Sequence, residues 1–101
     1  MSDKKLQDAH YLVLLALSQY NEPINVTTIK RLVDRTIRSY QTLKLRLKDL
    51  IEKKYVTVAD IGRTKLYLIE DKGREELAQW KNMATGKTFG DLWEKSFEGK
   101  I

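Results

Sequence analysis

Arg38, Gln41, Thr42, Leu45, Lys48 and Asp49 fall on one face of a helix whenever Leu43, Leu47 and Leu50 face the other way. The chemistry of such a face is hydrogen bonding to flat polar edges, not bond breaking. Arg38 carries the fork that pairs with guanine O6 and N7, and Gln41 the amide that pairs with adenine N6 and N7. Thr42 and Leu45 bring the apolar groups that meet a thymine methyl. Residues near the N-terminus of a helix laid in the major groove reach base edges most readily, so Arg38, Gln41, Thr42 and Leu45 stand as candidate base contacts. The same pattern also describes the solvated face of an ordinary amphipathic helix. Leu45 weighs for a contact surface, because a leucine among polar neighbours is costly to leave in water. Lys30, Arg31, Lys44, Arg46 and Lys48 flank the face or lie on it, where cations hold phosphates and so position a protein without reading sequence. Arg63 and Lys65, further along, would enter the adjacent minor groove or meet its phosphates.

Other chemistry is poorly supplied. The chain has one histidine, His10, no cysteine, no phosphate-cradling glycine loop and no paired carboxylates in a recognisable motif. An enzyme is therefore not expected, nor a cofactor, a disulfide or a thiolate metal site. His10 is expected to pack between helices or at an interface.

A face of this kind needs elements that hold it. Residues 6–20 have helical spacing through Leu6, Ala9, Val13, Leu14 and Leu17, while Tyr11, Leu12, Leu15 and Ala16 make the second half apolar nearly all round. One layer of contact cannot bury such a helix. A second subunit packed on Tyr11 and Leu15 would complete its burial, and so would a domain with helices on both sides; the dimer is the preferred reading. After a turn at residues 21–23, Asn25 is placed to cap a second helix, with Val26, Ile29, Leu32 and Val33 on one face and Lys30, Arg31 and Arg35 pointing outward. A break at Thr36 and Ile37 precedes a third helix over residues 39–53, with Ser39 as cap and Tyr40, Leu43, Leu47, Leu50 and Ile51 at core spacing. Two helices joined by so short a turn form a helix-turn-helix.

The period then changes. Residues 55–59 and 65–69 alternate as strands do, and the stretch 60–64 contains Gly62, which a tight hairpin needs. Helical character returns over residues 71–83 with Leu77 and Trp80 on one face, and Gly86 is placed where a C-cap belongs. Phe89, Leu92, Trp93 and Phe97 recur at i, i+3, i+4 and i+8. That stripe either packs on its own domain or joins Tyr11 and Leu15 in a dimer interface.

Helix, helix, helix, hairpin, helix is the order of a winged helix, an α+β fold. Residues 43–58 read Leu-Lys-Leu-Arg-Leu-Lys-Asp-Leu-Ile-Glu-Lys-Lys-Tyr-Val-Thr-Val. They resemble the recognition helix of MarR, PadR and ArsR-type regulators running through a Leu-x-x-Lys-Gly-Leu-Val type junction into the wing. Residues 63–74, from Arg63 through Glu70 to Arg74, resemble the wing's second strand and the Leu-Thr-Glu-Lys-Gly segment that opens the next helix. The resemblance covers residues 12–77. Lys54 stands where those families have glycine at the helix end, and Glu70 where they have a threonine cap. The resemblance implies a transcriptional regulator whose helices flanking the winged core build the dimer. Metal sensing, as in some ArsR-type proteins, would need clustered Cys or His that this chain lacks. No residue marks a site for a small-molecule effector.

Charge sharpens the expectation. The chain of 101 residues has a formal charge of +5, but residues 26–65 hold eleven Lys or Arg against four acids, a net of +7, and the rest is net −2. One winged-helix domain is expected over residues 1–83, followed by an amphipathic C-terminal tail over 84–101 that packs or dimerises. The apolar run at residues 11–17 is too short to span a bilayer and no signal-peptide pattern is present, so no membrane partner and a cytoplasmic location are expected. The expected function is double-stranded DNA binding as a dimeric regulator, most simply a repressor. The competing reading is a winged-helix protein-interaction module that binds another chain through the Leu45 face or the aromatic tail. Cations on the recognition helix, its flank and the wing together favour DNA, since a protein-binding module has no general need of them.

Overall fold

The computed structural model describes residues 6–100, so positions 1–5 and 101 of the two expected segments lie outside the described residues. The chain runs α1 (Asp8–Ser18), β1 (Ile24–Asn25), α2 (Val26–Val33), α3 (Tyr40–Glu52), β2 (Val56–Ile61), β3 (Thr64–Ile69), α4 (Asp71–Asn82) and α5 (Ala84–Phe97). This is a winged helix: three helices, an antiparallel hairpin and two further helices.

α1 is the hub. His10 and all six residues Leu12, Val13, Leu14, Leu15, Ala16 and Leu17 are buried, because α2 and α3 pack on one side and α4 and α5 return to cover the other. The apolar circumference that suggested a second subunit is thus satisfied within one chain. Leu15, expected at a dimer interface, is wholly enclosed and offers no surface to a partner.

Local chemistry sets each boundary. The Asn25 side chain accepts from the Thr28 amide at 2.9 Å and starts α2. Ser39 Oγ accepts from the Gln41 and Thr42 amides at 3.2 and 3.4 Å and starts α3. α3 ends in a Schellman motif, with the Tyr55 amide bonded to the Leu50 carbonyl and the Lys54 amide to the Ile51 carbonyl, both at 3.0 Å. Lys54 takes the left-handed position at φ 66°, which explains why the resembling families use glycine there.

The hairpin is longer than the alternation indicates. β2 and β3 pair from Val56↔Ile69 to Ile61↔Thr64 and leave a two-residue turn in which Gly62, at φ 64°, takes the first central position, as a type II′ turn requires. β1 escaped the sequence reading, being only two residues long. It pairs Ile24 with Tyr67 and Asn25 with Leu66, so the sheet order is β1-β3-β2 and the wing is tied to the start of α2.

At the start of α4, Glu70 makes no side-chain cap; its carboxylate accepts from the Thr57 hydroxyl at 2.9 Å and staples the base of the wing. The expected C-cap at Gly86 is not there. Met83, in an extended conformation, separates α4 from α5, and Gly86 lies buried inside α5 because a Cβ there would overlap the Trp80 carbonyl. The close helix crossing stacks Tyr11 on Trp80 (4.8 Å between centroids), Trp80 on Trp93 (5.6 Å) and Trp93 on Phe89 (6.0 Å). Phe97 is buried in the core.

Candidate nucleic-acid interface

α3 presents three strips of surface, and the packing around it decides what each can do. The core strip is Leu43, Leu47 and Leu50. Opposite it lie Gln41, Leu45 and Lys48, all exposed, with Leu45 at 56%. Of the expected base contacts, Gln41 and Leu45 lie on this open strip, Arg38 is exposed just before the helix and near enough to Asp34 to act on its carboxylate, and Thr42 is half-buried.

The flank toward the wing is cationic. Lys44, Lys48 and Ile51 of α3 with Val58, Lys65 and Tyr67 of the hairpin enclose a hollow of about 320 Å³. A second hollow, of about 430 Å³, is lined by Asn25, Val26 and Thr27 of the α2 start, by Lys44, and by Arg63, Thr64, Lys65 and Tyr67 of the wing. The expected phosphate and wing residues Lys44, Lys48, Arg63 and Lys65 are therefore brought together. Spacing within α3 could not show that they share walls with the α2 N-terminus. The signal was the alternation that puts Lys65 and Tyr67 on one face of β3.

The flank toward α1 behaves otherwise. Asp49, expected on the groove side, accepts a hydrogen bond from His10 at 2.9 Å and is largely covered. The His10 ring is fixed: Nδ1 accepts from the Gln7 amide at 2.9 Å as part of a capping box, so Nε2 carries the proton donated to Asp49. Arg46, expected on phosphates, is half-buried with a guanidinium nitrogen 3.8 Å from Asp49, and its Nε is buried without a partner. It is turned away from the open strip.

Two further expectations need correction. Lys30, expected to point outward to a phosphate, is buried; its ammonium pairs with Asp34 and sits 5.3 Å from the centre of the Tyr40 ring. That pairing holds the Asp34 carboxyl below the usual range. Tyr40, placed in the core by spacing, is instead exposed at 46% over Lys30 at the start of α3. Arg31 is exposed, and its carbonyl accepts from the Lys100 ammonium at 3.1 Å.

The aromatic side of the molecule divides too. Phe97, like Leu15, belongs to the core and cannot line an interface. Tyr11 is half-buried in the stack; its hydroxyl donates to Glu76 at 3.0 Å, and burial with that bond pushes its pKa up to about 12. Trp93 is half-buried, whereas Phe89 and Leu92 are exposed at 39% and 58%, and Leu92 with Trp93 lines a cleft reaching Arg35 and Thr36. Among the described residues no group of three His, Asp or Glu gathers as a metal site would need, and no helix is long and apolar enough to cross a membrane.

No family model matches the chain, and no curated protein is similar to it in sequence. Its fold is similar to solved structures. AdcR, the adhesin competence repressor of Streptococcus pyogenes, superposes with a TM-score of 0.67 at 13% identity over 97% of this chain and 69% of that one. BpsR of Bordetella bronchiseptica, whose DNA binding is regulated by 6-hydroxynicotinic acid, gives 0.67 at 21% identity over 98% and 66%. RosR of H. salinarum gives 0.60 at 17% identity over 99% and 100%. These likenesses establish the winged-helix fold.

Proposed function

We propose that the chain binds double-stranded DNA as a transcriptional regulator, with α3 in the major groove and the wing on the flanking backbone or minor groove. The observation that carries this reading is the exposed strip of Gln41, Leu45 and Lys48 on α3 beside hollows that bring Lys44, Lys48, Arg63 and Lys65 together, with Arg38 exposed just ahead of the helix. Glu52 at the end of α3 and Asp60 on β2 are exposed acids of the same two elements. The fold shared with a repressor and with a protein of regulated DNA binding supports the reading, and repression by occupying an operator is its simplest form.

The chain acts as a homodimer in this proposal. Phe89 and Leu92 of α5, exposed on an otherwise well-packed side, supply the apolar patch for a second copy. Two recognition helices would then meet a palindromic site about 34 Å apart. Selecting preferred sequences from a random duplex pool tests base reading. Arg38→Ala should relax the selected motif, and Arg63→Ala should weaken binding about equally on every sequence. An unchanged motif and unchanged affinity in both variants would contradict the groove assignment. Leu92→Asp should shift the sedimentation coefficient to that of a monomer; a wild type already monomeric would contradict the dimer.

A further inference from the structure

The hollow between the α2 start, α3 and the wing is more than a gap beside the groove face. Lys44, Arg63 and Lys65 line it, as do Val26 and Thr27, the first two residues of α2. The first N–H groups of any helix lack intrahelical acceptors, and here Asn25 takes up only that of Thr28. Helix polarity and three cations therefore converge on one volume.

Tyr67 adds an independent observation. It is 7% exposed, it lines both this hollow and the neighbouring one of Lys44, Lys48 and Lys65, and its hydroxyl bonds to no other described residue. The ring is held among its neighbours while the unpartnered hydroxyl belongs to a residue that lines both cationic hollows, so an acceptor that enters them from outside can take its hydrogen bond. Burial, aided by the Asp60 carboxylate, raises its pKa, so it remains an O–H donor through the ordinary pH range. Asp60 is the acid of this region, paired across the hairpin with Lys65. An acceptor-rich anion as large as a tetrahedral oxyanion fits both the volume and the donors.

We infer that this hollow is a phosphate site in which Tyr67 donates to a phosphate oxygen, with Lys44, Lys65, Arg63 and the α2 N-terminus around it, and that a backbone phosphodiester fills it when DNA is bound. The inference rests on the DNA-binding reading for the source of the phosphate, though not for the site. Tyr67 would couple the wing to the helix-turn-helix through the nucleic acid itself, since β3 carries Tyr67 and pairs through β1 with the chain entering α2.

Two titrations on the intact chain, wild type and Tyr67→Phe, test it. In the first, inorganic phosphate is added at constant ionic strength against chloride and amide shifts are followed by NMR. Saturable shifts at Val26, Thr27 and Lys65 that weaken about tenfold in Tyr67→Phe are expected, the loss typical of one hydrogen bond to a charged group. In the second, binding of a labelled mixed-sequence duplex should weaken about tenfold in Tyr67→Phe. Phosphate should compete with the duplex beyond its ionic strength in the wild type alone. Absence of Tyr67-dependent phosphate shifts overturns the site even if the duplex binds. Phosphate shifts with a duplex affinity indifferent to Tyr67→Phe overturn the backbone assignment and leave free phosphate as the ligand. Failure of the wild type to bind any duplex, with the phosphate shifts intact, likewise overturns the backbone assignment. Lys65→Gln, exposed and neutral in packing, repeats both titrations should Tyr67→Phe perturb the fold.

Discussion

Arg46 and Lys44 stand two residues apart on α3 and face different neighbours. Arg46 looks toward α1, where His10 holds Asp49 and Asp49 draws the guanidinium inward. Lys44 looks toward the wing, where Lys65 and Arg63 add charge of its own sign around open hollows. A buried polar group is costly unless paired, so the α1 flank engages Asp49 with both His10 and Arg46, while the wing flank gathers like charges that an incoming anion would neutralise. What the difference teaches is that the element behind a cation decides whether it supports the helix or meets a ligand. Lys30 repeats the lesson on α2, where Asp34 and the Tyr40 ring engage it.

The contrast between a covered supporting side and an open cationic side can be broken or sharpened by substitution. The largest effect is expected at Gly86→Ala, where the new methyl would force α5 off the Trp80 carbonyl. A loss of about 3 kcal/mol or more in urea unfolding is expected, with the salt dependence of DNA binding by the folded fraction unchanged. His10→Ala should cost about 2 kcal/mol by stranding Asp49 and opening the α1 cap, again without changing that salt dependence. A changed slope in His10→Ala would erase the distinction between the two flanks.

Smaller effects discriminate more finely. Lys44→Ala removes one phosphate contact from each protomer, so it should reduce the slope of log K against log salt by about 2 per dimer and leave stability within about 0.5 kcal/mol. Arg46→Ala should do the reverse, lowering stability and leaving the slope alone. Lys54→Gly should stabilise the fold by about 1 kcal/mol, since it relieves a left-handed lysine without touching either flank. Tyr11 offers a pH test of the covered side. Its pKa is raised in the folded chain, so its contribution is intact below the unfolded value of about 10 and lost as pH rises toward about 12. Tyrosinate absorbance and far-UV circular dichroism followed together should show alkaline unfolding that Tyr11→Phe moves to higher pH.

Much of this architecture is legible in the residues. Asn25 and Ser39 cap the helices their side chains suggested, and the change from helical to alternating period locates the wing. Legibility failed where tertiary neighbours override spacing. Gly86 has the composition of a terminator, yet serves a helix crossing that only the return of α5 creates. Helical spacing put Tyr40 inward, but at the first position of α3 it lies beyond the reach of the core and rests on Lys30. The apolar girth of α1 signalled burial on two sides, and four helices of one chain supply it. Within the site, periodicity exposed the open strip of α3, whereas Tyr67 looked like an ordinary strand residue until β1, α3 and the wing enclosed it.

The most direct measurement is fluorescence anisotropy of a labelled duplex titrated with the chain over a range of salt concentrations. Four to six neutralised phosphates per dimer predict a log–log slope of roughly −4 to −5, shallower in Lys44→Ala and unchanged in Arg46→Ala. No binding at low salt, or binding indifferent to salt, would contradict the assignment of the open side of α3 and the wing to DNA.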